Sequence, residues 1–198
     1  VYGENKTTVG GGETAVGFEN IILKKGYKGI KEEAEAKLAE LDKNDIENFD
    51  KMQVYRSMIL SCEAMKIQSD RYADLAEKMA AEETDETRKQ ELLTIAESCR
   101  RVPWEPPRTF REAVQAINLV EVALYCDEIS SGYNIGRFDQ YLYPYYKRDK
   151  EAGILTDQDA LELLECLWLK IAESLYGLSK DGAEFYVGYQ PYHGVTLG

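Results

Sequence analysis

A single histidine, His193, stands among 198 residues. That scarcity excludes a multi-histidine metal site and a His-Glu-x-x-His metalloprotease. It also excludes most histidine-based triads unless His193 itself takes part. The four cysteines, Cys62, Cys99, Cys126 and Cys166, are far apart and form no Cys-x-x-Cys pair. This spacing points to reduced thiols in a cytoplasmic setting rather than to a disulfide scaffold. No apolar run approaches the ~18 residues of a membrane span. The opening Val-Tyr-Gly-Glu-Asn-Lys has no basic-then-apolar targeting pattern and no initiator Met, so the chain is expected to begin within a protein or after processing. Cationic surplus is missing too: 24 Lys and Arg face 36 Asp and Glu, for a net charge of −12. Such a surface repels phosphate backbones and anionic lipids, which argues against nucleic acid and membrane as partners. The 44% hydrophobic content is enough to bury a core in one medium domain or two small ones.

Helical periodicity organises most of the chain. Val1 to Gly17 is Gly- and Thr-rich and reads as loop. Its Gly10-Gly11-Gly12 run has no Gly-Lys-Ser/Thr after it, so a turn explains it better than a phosphate loop. After Gly26 and Gly29, Ile30, Ala34, Leu38 and Leu41 mark one apolar side. Asp45 caps a long segment carrying Phe49, Met52, Tyr55, Ile59 and Cys62, continued by Tyr72, Leu75 and Met79. Neither Pro nor Gly interrupts Ile46 through Glu83. Beyond a break at Thr84–Glu86 come Leu92, Ile95, Ala96 and Cys99. Pro103, Pro106 and Pro107 stop helix formation. Thr109 and Glu112 then form a capping box ahead of Ala113, Ile117, Val120 and Leu124. Thr156 to Asp159 caps a helix with the stripe Leu161, Leu164, Trp168, Ile171 and Leu175. Phe185–Val187 and Gly194–Leu197 are short β-prone runs. The residues predict a mainly α fold, one helical layer with a little strand at the end and neither repeats nor a flexible linker.

The densest unusual stretch runs from Ser130 to Asp149. Arg137 and Asp139 bracket Phe138. In an extended loop the two side chains share one side and can enter a cavity together; at a helix start they diverge. A fixed Arg and Asp can anchor a substrate carboxylate or ammonium through short charge-assisted bonds. The competing reading is that both hold a loop against helix ends. Tyr141, Tyr143, Tyr145 and Tyr146 suit either a stacking platform or amphipathic packing with phenolic tips in water, and the second is favoured. The pairs Glu32/Glu33, Glu82/Glu83 and Asp157/Asp159 read as helix ends or solvated faces. Asp157-Gln158-Asp159 fails as a calcium loop for want of the glycine. The cysteines in apolar stripes read as inert, and lone His193 as structural or exposed.

Several strings resemble the glycyl radical enzyme superfamily, the pyruvate formate-lyase and glycerol or diol dehydratase-like proteins. They are Arg71–Ala76, Val102–Pro107 (Val-Pro-Trp-Glu-Pro-Pro), Thr109–Gln115 and, above all, Gly136–Tyr146 (Gly-Arg-Phe-Asp-Gln-Tyr-Leu-Tyr-Pro-Tyr-Tyr). Gly182–Gly198 looks like the family's approach to a central barrel strand, and Gly26–Leu38 like an earlier family helix. Those enzymes are several times longer. The resemblance implies an internal fragment: residues 1–198 as a single partial domain, with the radical-bearing C-terminal domain outside it. The implied fold is mainly α with a few short strands, a helical layer and partial barrel taken from an α/β barrel.

The resemblance implies a lyase or dehydratase that abstracts hydrogen from a small polar substrate. It also implies a glycyl radical in the parent, installed by a radical SAM activating enzyme, and a thiyl cysteine at a loop tip. This sequence contains neither the Arg-Val-x-Gly-type motif nor the Gly-Cys-Val-Glu-type loop, so no catalytic residue is carried over. No cofactor is expected on the chain, and alone it is expected to be inert. The substrate-facing candidates are Ser131, Asn134, Arg137 and Asp139, with the Arg137–Asp139 bracket expected to face an enclosed chamber. Dehydratase-like members often show Asn-Gly-His-Ser before Gly-Arg-Phe-Asp. The matching positions here read Ile129-Ser130-Ser131-Gly132, which weakens glycerol or diol dehydration. The implied partners are a small-molecule substrate, the remainder of the parent, its activating enzyme and a second copy of the chain. A helical interaction or assembly module without chemistry is the alternative.

Overall fold

The computed structural model describes residues 14–15, 17–127, 133–173 and 195–198. They fall into two compact units: Val1–Phe18 with Thr109–Gly198, and Glu19–Arg108.

Unit Glu19–Arg108 is built on three helices. A wide-turned segment from Phe18 to Ile22 leads into α1 (Leu23–Glu40). The helix begins earlier than the glycines suggested, and Gly26 kinks it with φ 65° and ψ 171°. Only glycine adopts that left-handed conformation freely. A Cβ at Gly26 would stand 2.3 Å from the Trp104 carbonyl oxygen. The close approach lets Tyr27 and Lys28 donate their amides to the Pro103 and Trp104 carbonyls, both at 2.9 Å. The proline-rich turn is thus stitched to α1.

Asp45 accepts from the Glu47 amide at 3.0 Å and opens a single 3₁₀ turn, Ile46–Asn48. Helix α2 (Phe49–Glu82) follows without interruption, as the lack of Pro and Gly predicts. Its buried positions Met52, Cys62, Met65, Ser69, Ala73, Ala76 and Ala80 recur at helical spacing. Asp85 accepts from the Arg88 amide at 2.8 Å and caps α3 (Glu86–Arg101), which packs back on α2. The small residues Ala73, Ala76 and Ala80 on α2 and Ala96 and Ser98 on α3 are all buried. Arg100 reaches across to Asp70, Asp74 and Glu77, the last at 3.0 Å.

In the other unit, α4 (Phe110–Asp127) is the central element and packs against both α5 (Phe138–Glu151) and α6 (Asp157–Glu173). Its mean hydropathy is the highest of the helices, and Phe110, Ala113, Val114, Ala116, Ile117, Leu119 and Val120 are buried. The Thr109 hydroxyl accepts from the Glu112 amide at 3.2 Å, as the capping signal predicts. The Asp149 carboxylate, on α5, accepts from the Phe110 amide at 2.6 Å. That charge-assisted bond between buried groups is worth about 1.5–3 kcal/mol and ties α5 to the head of α4. At α6 the Thr156–Asp159 box is reciprocal. The Asp159 amide donates to the Thr156 hydroxyl at 3.1 Å, and Asp159 accepts from the Thr156 amide at 2.9 Å.

The expected partial barrel is corrected by the structure. Among the described residues, extended pairing is confined to β1 (Thr14–Ala15) and β2 (Tyr133–Asn134), parallel, and one isolated bridge from Gly136 to Val195. Two-residue pairings are far below the five or six residues of an ordinary strand, so the described residues contain no barrel wall and no sheet beyond this one short pair. The β-prone run Phe185–Val187 lies outside the described residues. Strands depend on neighbours that a local sequence pattern does not supply, whereas a helix closes its own hydrogen bonds. The pairing of Thr14–Ala15 also revises the reading of Val1–Gly17 as loop throughout.

Candidate functional site

The polar turn before α5 is shaped by Gly136, whose φ of 68° turns the chain from β2 into the helix. Arg137 is the N-cap residue at φ −87°, ψ 64°, and Phe138 starts α5. Of the two geometries the helix-start one applies, with Arg137 as the cap and Asp139 in the first turn. Arg137 is exposed; Asp139, in the first helical turn, is half-buried. No ion pair joins them among the described residues. Asn134 is half-buried in β2, paired in register with Ala15. Ser131 lies outside the described residues, as does His193.

Asp139 is the most constrained member of the set. Its Oδ2 accepts from the Gly198 amide at 3.2 Å and from the Gln140 side chain at 3.1 Å. Its Oδ1 is shielded from solvent and has no hydrogen-bond donor among the described residues. Burial pushes the carboxyl pKa up. The donors from Gly198 and Gln140 and the charge of Arg137 outweigh it, so the net shift is downward. Phe138 stacks at a tilt on Trp168, with centroids 5.7 Å apart, which fixes the turn to α6.

Of the tyrosines behind the turn, Tyr143 and Tyr146 meet with ring centroids 6.2 Å apart at a 35° tilt, and the others are engaged separately. Tyr141 is buried and donates its hydroxyl to the Ile135 carbonyl at 2.7 Å. Tyr143 is exposed; Tyr145 lies under the Arg148 guanidinium. Tyr146 donates to Asp157 at 2.7 Å. All four thiols sit on helices. Cys62 and Cys99 are buried, while Cys126 and Cys166 are exposed. Burial pushes the Cys99 thiol up to about 11 against the opposing charge of Arg100, and raises Cys62 as well. None of the four fits the loop-tip thiol that a glycyl radical mechanism uses. Among the described residues no group of three or more His, Cys, Asp or Glu could hold a metal, and no helix is long and apolar enough to cross a membrane.

A groove of about 460 Å³ opens between α1 and α2, lined by Tyr27, Ile30, Val54, Met58 and Cys62 among others. It is distant in sequence from the polar turn, and the periodicity did not mark it. Burial there pushes the Tyr27 phenol up to about 12, with Cys62 adding to the shift. Sequence reasoning also missed the role of Asp149. A helical Asp carries the same local pattern whether it is solvated or, as here, buried against another helix.

The family model for pyruvate formate lyase-like proteins matches residues 1–198. The isethionate sulfite-lyase of Bilophila wadsworthia is 42% identical over 90% of this chain and 22% of its own length. The trans-4-hydroxy-L-proline dehydratase of Clostridioides difficile is 44% identical over 80% of this chain and 20% of its own. A solved structure for 1,2-propanediol dehydration in Roseburia inulinivorans superposes with a TM-score of 0.89 at 34% identity, covering 99% of this chain and 25% of that one. A glycyl radical enzyme from Archaeoglobus fulgidus gives a TM-score of 0.88 at 33% identity, covering 97% and 25%. The chain thus spans a fifth to a quarter of the length of these relatives. A match from end to end, with the helical arrangement preserved, is more than shared helicity produces, and the chain belongs to the pyruvate formate lyase-like family of glycyl radical enzymes.

Proposed function

We propose that this chain is part of a lyase or dehydratase acting on a small polar molecule, in which it supplies scaffold and one wall of the substrate pocket. Residues 1–198 then form a partial domain of the larger enzyme. The glycyl radical, carried on other polypeptide and installed by a radical SAM activating enzyme, supplies hydrogen abstraction. The residues here bind and orient. Arg137 offers a guanidinium to an anionic group, Asn134 an amide, Ser131 a hydroxyl, and Asp139 an acceptor. The relatives named for isethionate, hydroxyproline and propanediol chemistry support a small, hydroxylated substrate class.

The observation that carries the site is Oδ1 of Asp139, shielded and without a donor among the described residues. An acceptor oxygen shielded from water loses its hydration, so a hydroxyl or ammonium donor brought to it gains more than it would in water. Without the radical glycine and the thiyl cysteine, the chain alone turns nothing over. The free, widely spaced thiols support a cytoplasmic setting, and the exposed apolar helix faces support a homo-oligomer.

The test begins with the DNA on either side of the coding sequence. In-frame continuation through the radical-glycine and thiyl-cysteine motifs is the expected result. A stop codon directly after Gly198, with neither motif upstream, overturns the enzyme reading and leaves a helical assembly module. In the continuous enzyme, activated anaerobically, Arg137→Ala is expected to raise KM about tenfold or more, consistent with losing one charge-assisted contact. Unchanged kinetics with isethionate, hydroxyproline and diol substrates would remove Arg137 from the pocket.

A further inference from the structure

Residues 195–198 lie against the start of α5 with hydrogen bonds donated by their backbone amides. Val195 bridges to Gly136 in parallel, and the Thr196 amide donates to the Gly136 carbonyl at 3.1 Å. In an extended segment the amides of residues two apart point to the same side, so the Gly198 amide faces α5 as well. A parallel ladder would offer it the next backbone carbonyl. That carbonyl belongs to Phe138, which opens the helix and whose carbonyl is committed within it. The Asp139 carboxylate stands in its place, accepting from Gly198 through Oδ2 at 3.2 Å. Thr196, Leu197 and Gly198 are exposed, so burial contributes little to holding them there.

We propose that Asp139 is a positioning residue whose side chain completes the ladder that Gly136 begins, clasping residues 195–198 across the N-terminus of α5. The carboxylate has two oxygens with separate tasks, and the clasp uses Oδ2 only. It therefore stands whether or not Oδ1 meets a substrate. Gln140, donating to the same oxygen, holds the carboxylate in the orientation that meets Gly198. Arg137 is the charged group that acts on Asp139 among the described residues; Gln140 and the Gly198 backbone are neutral. The clasp favours the ionised form. It is fully present above the ordinary carboxyl pKa of about 3.9, and is lost as pH falls through the lower value of the folded state.

The test is amide exchange and chemical-shift titration by NMR, with glycine-selective labelling, on the protein as its gene encodes it and on two variants. Gly198 is joined to the residues that follow, or amidated where it is the last, so its amide has no terminal carboxylate beside it to titrate. In the unmodified chain the Gly198 amide should exchange about tenfold more slowly than in Asp139→Ala, the effect of one hydrogen bond to a charged group. Its shift should follow a single titration below the ordinary carboxyl pKa. Asp139→Asn keeps an acceptor oxygen, so protection should persist while that titration disappears. Equal Gly198 exchange in the unmodified chain and both variants would overturn the clasp. So would a Gly198 titration that survives in Asp139→Asn. If Asp139→Ala does not fold, the Asp139→Asn titration decides alone.

Discussion

Gly26 carries the sharpest single-residue constraint in the chain. Its left-handed φ and the 2.3 Å approach of the Trp104 carbonyl to a would-be Cβ act together. Gly26→Ala must either strain the backbone by about 1–3 kcal/mol or break the hydrogen bonds that the Tyr27 and Lys28 amides donate. A loss of about 2 kcal/mol or more in urea unfolding is expected, with the slope unchanged. A midpoint within error of the parent would show that the Pro103–Glu105 turn yields. The sequence marked Gly26 only as the edge of a helix. Nothing in its neighbours foretells a partner almost eighty positions later, which is why the kink was not legible. The caps at Asp45, Thr109 and Thr156 were legible, because each acts on amides two or three residues away.

At the scale of elements, α2 and α3 form a hairpin clasped by ions. Arg100 meets Asp70, Asp74 and Glu77, which share one face of α2 at spacings of four and three. Hydrogen bonds to Glu77 and then Asp74 lead the rise in its pKa. All the partners are accessible to solvent, so the attraction is screened. Arg100→Met is expected to lower the melting temperature at low salt, and the deficit should shrink by about 0.5 M NaCl. A deficit independent of salt would assign the contribution to the arginine stem instead. Helix α5 illustrates the opposite limit of sequence reading. Pro144 inside it argues for a break, yet the helix runs from Phe138 to Glu151. Tertiary anchors at Tyr141 and Asp149 outweigh one missing amide donor. The bracket of Arg137 and Asp139 was legible as a pair of polar candidates, but which of its two geometries applied depended on where this helix began.

For the whole molecule, apolar side chains remain on the outside of the two longest-striped helices. Leu60 on α2 is 64% exposed and Leu169 on α6 is 65% exposed. The isolated chain is therefore expected to self-associate as its concentration rises. Leu60→Lys with Leu169→Lys should weaken that association in sedimentation velocity and leave folding stability within about 0.5 kcal/mol per site. Undiminished association would locate the adhesive surface elsewhere. The helices were legible because apolar residues repeat at helical spacing, but their buried faces were read only in part. Phe49, Tyr72, Leu75, Met79, Leu161 and Trp168 of the predicted stripes are exposed, while Ala73, Ala76, Ala80 and Leu167 are buried. The barrel expectation was not met because strands are specified by partners rather than by period. The 34 residues of α2, about 51 Å of unbroken helix, have a further consequence. Tyr27 and Ile30 of α1 meet it near Gln53 to Cys62, while Arg100 meets it at Asp70 to Glu77. Adding or deleting one residue between those stations would rotate one against the other by about 100°, whereas seven residues would nearly restore the phase. The rod works as a camshaft, and length variation within it is tolerated only in near-integral turns.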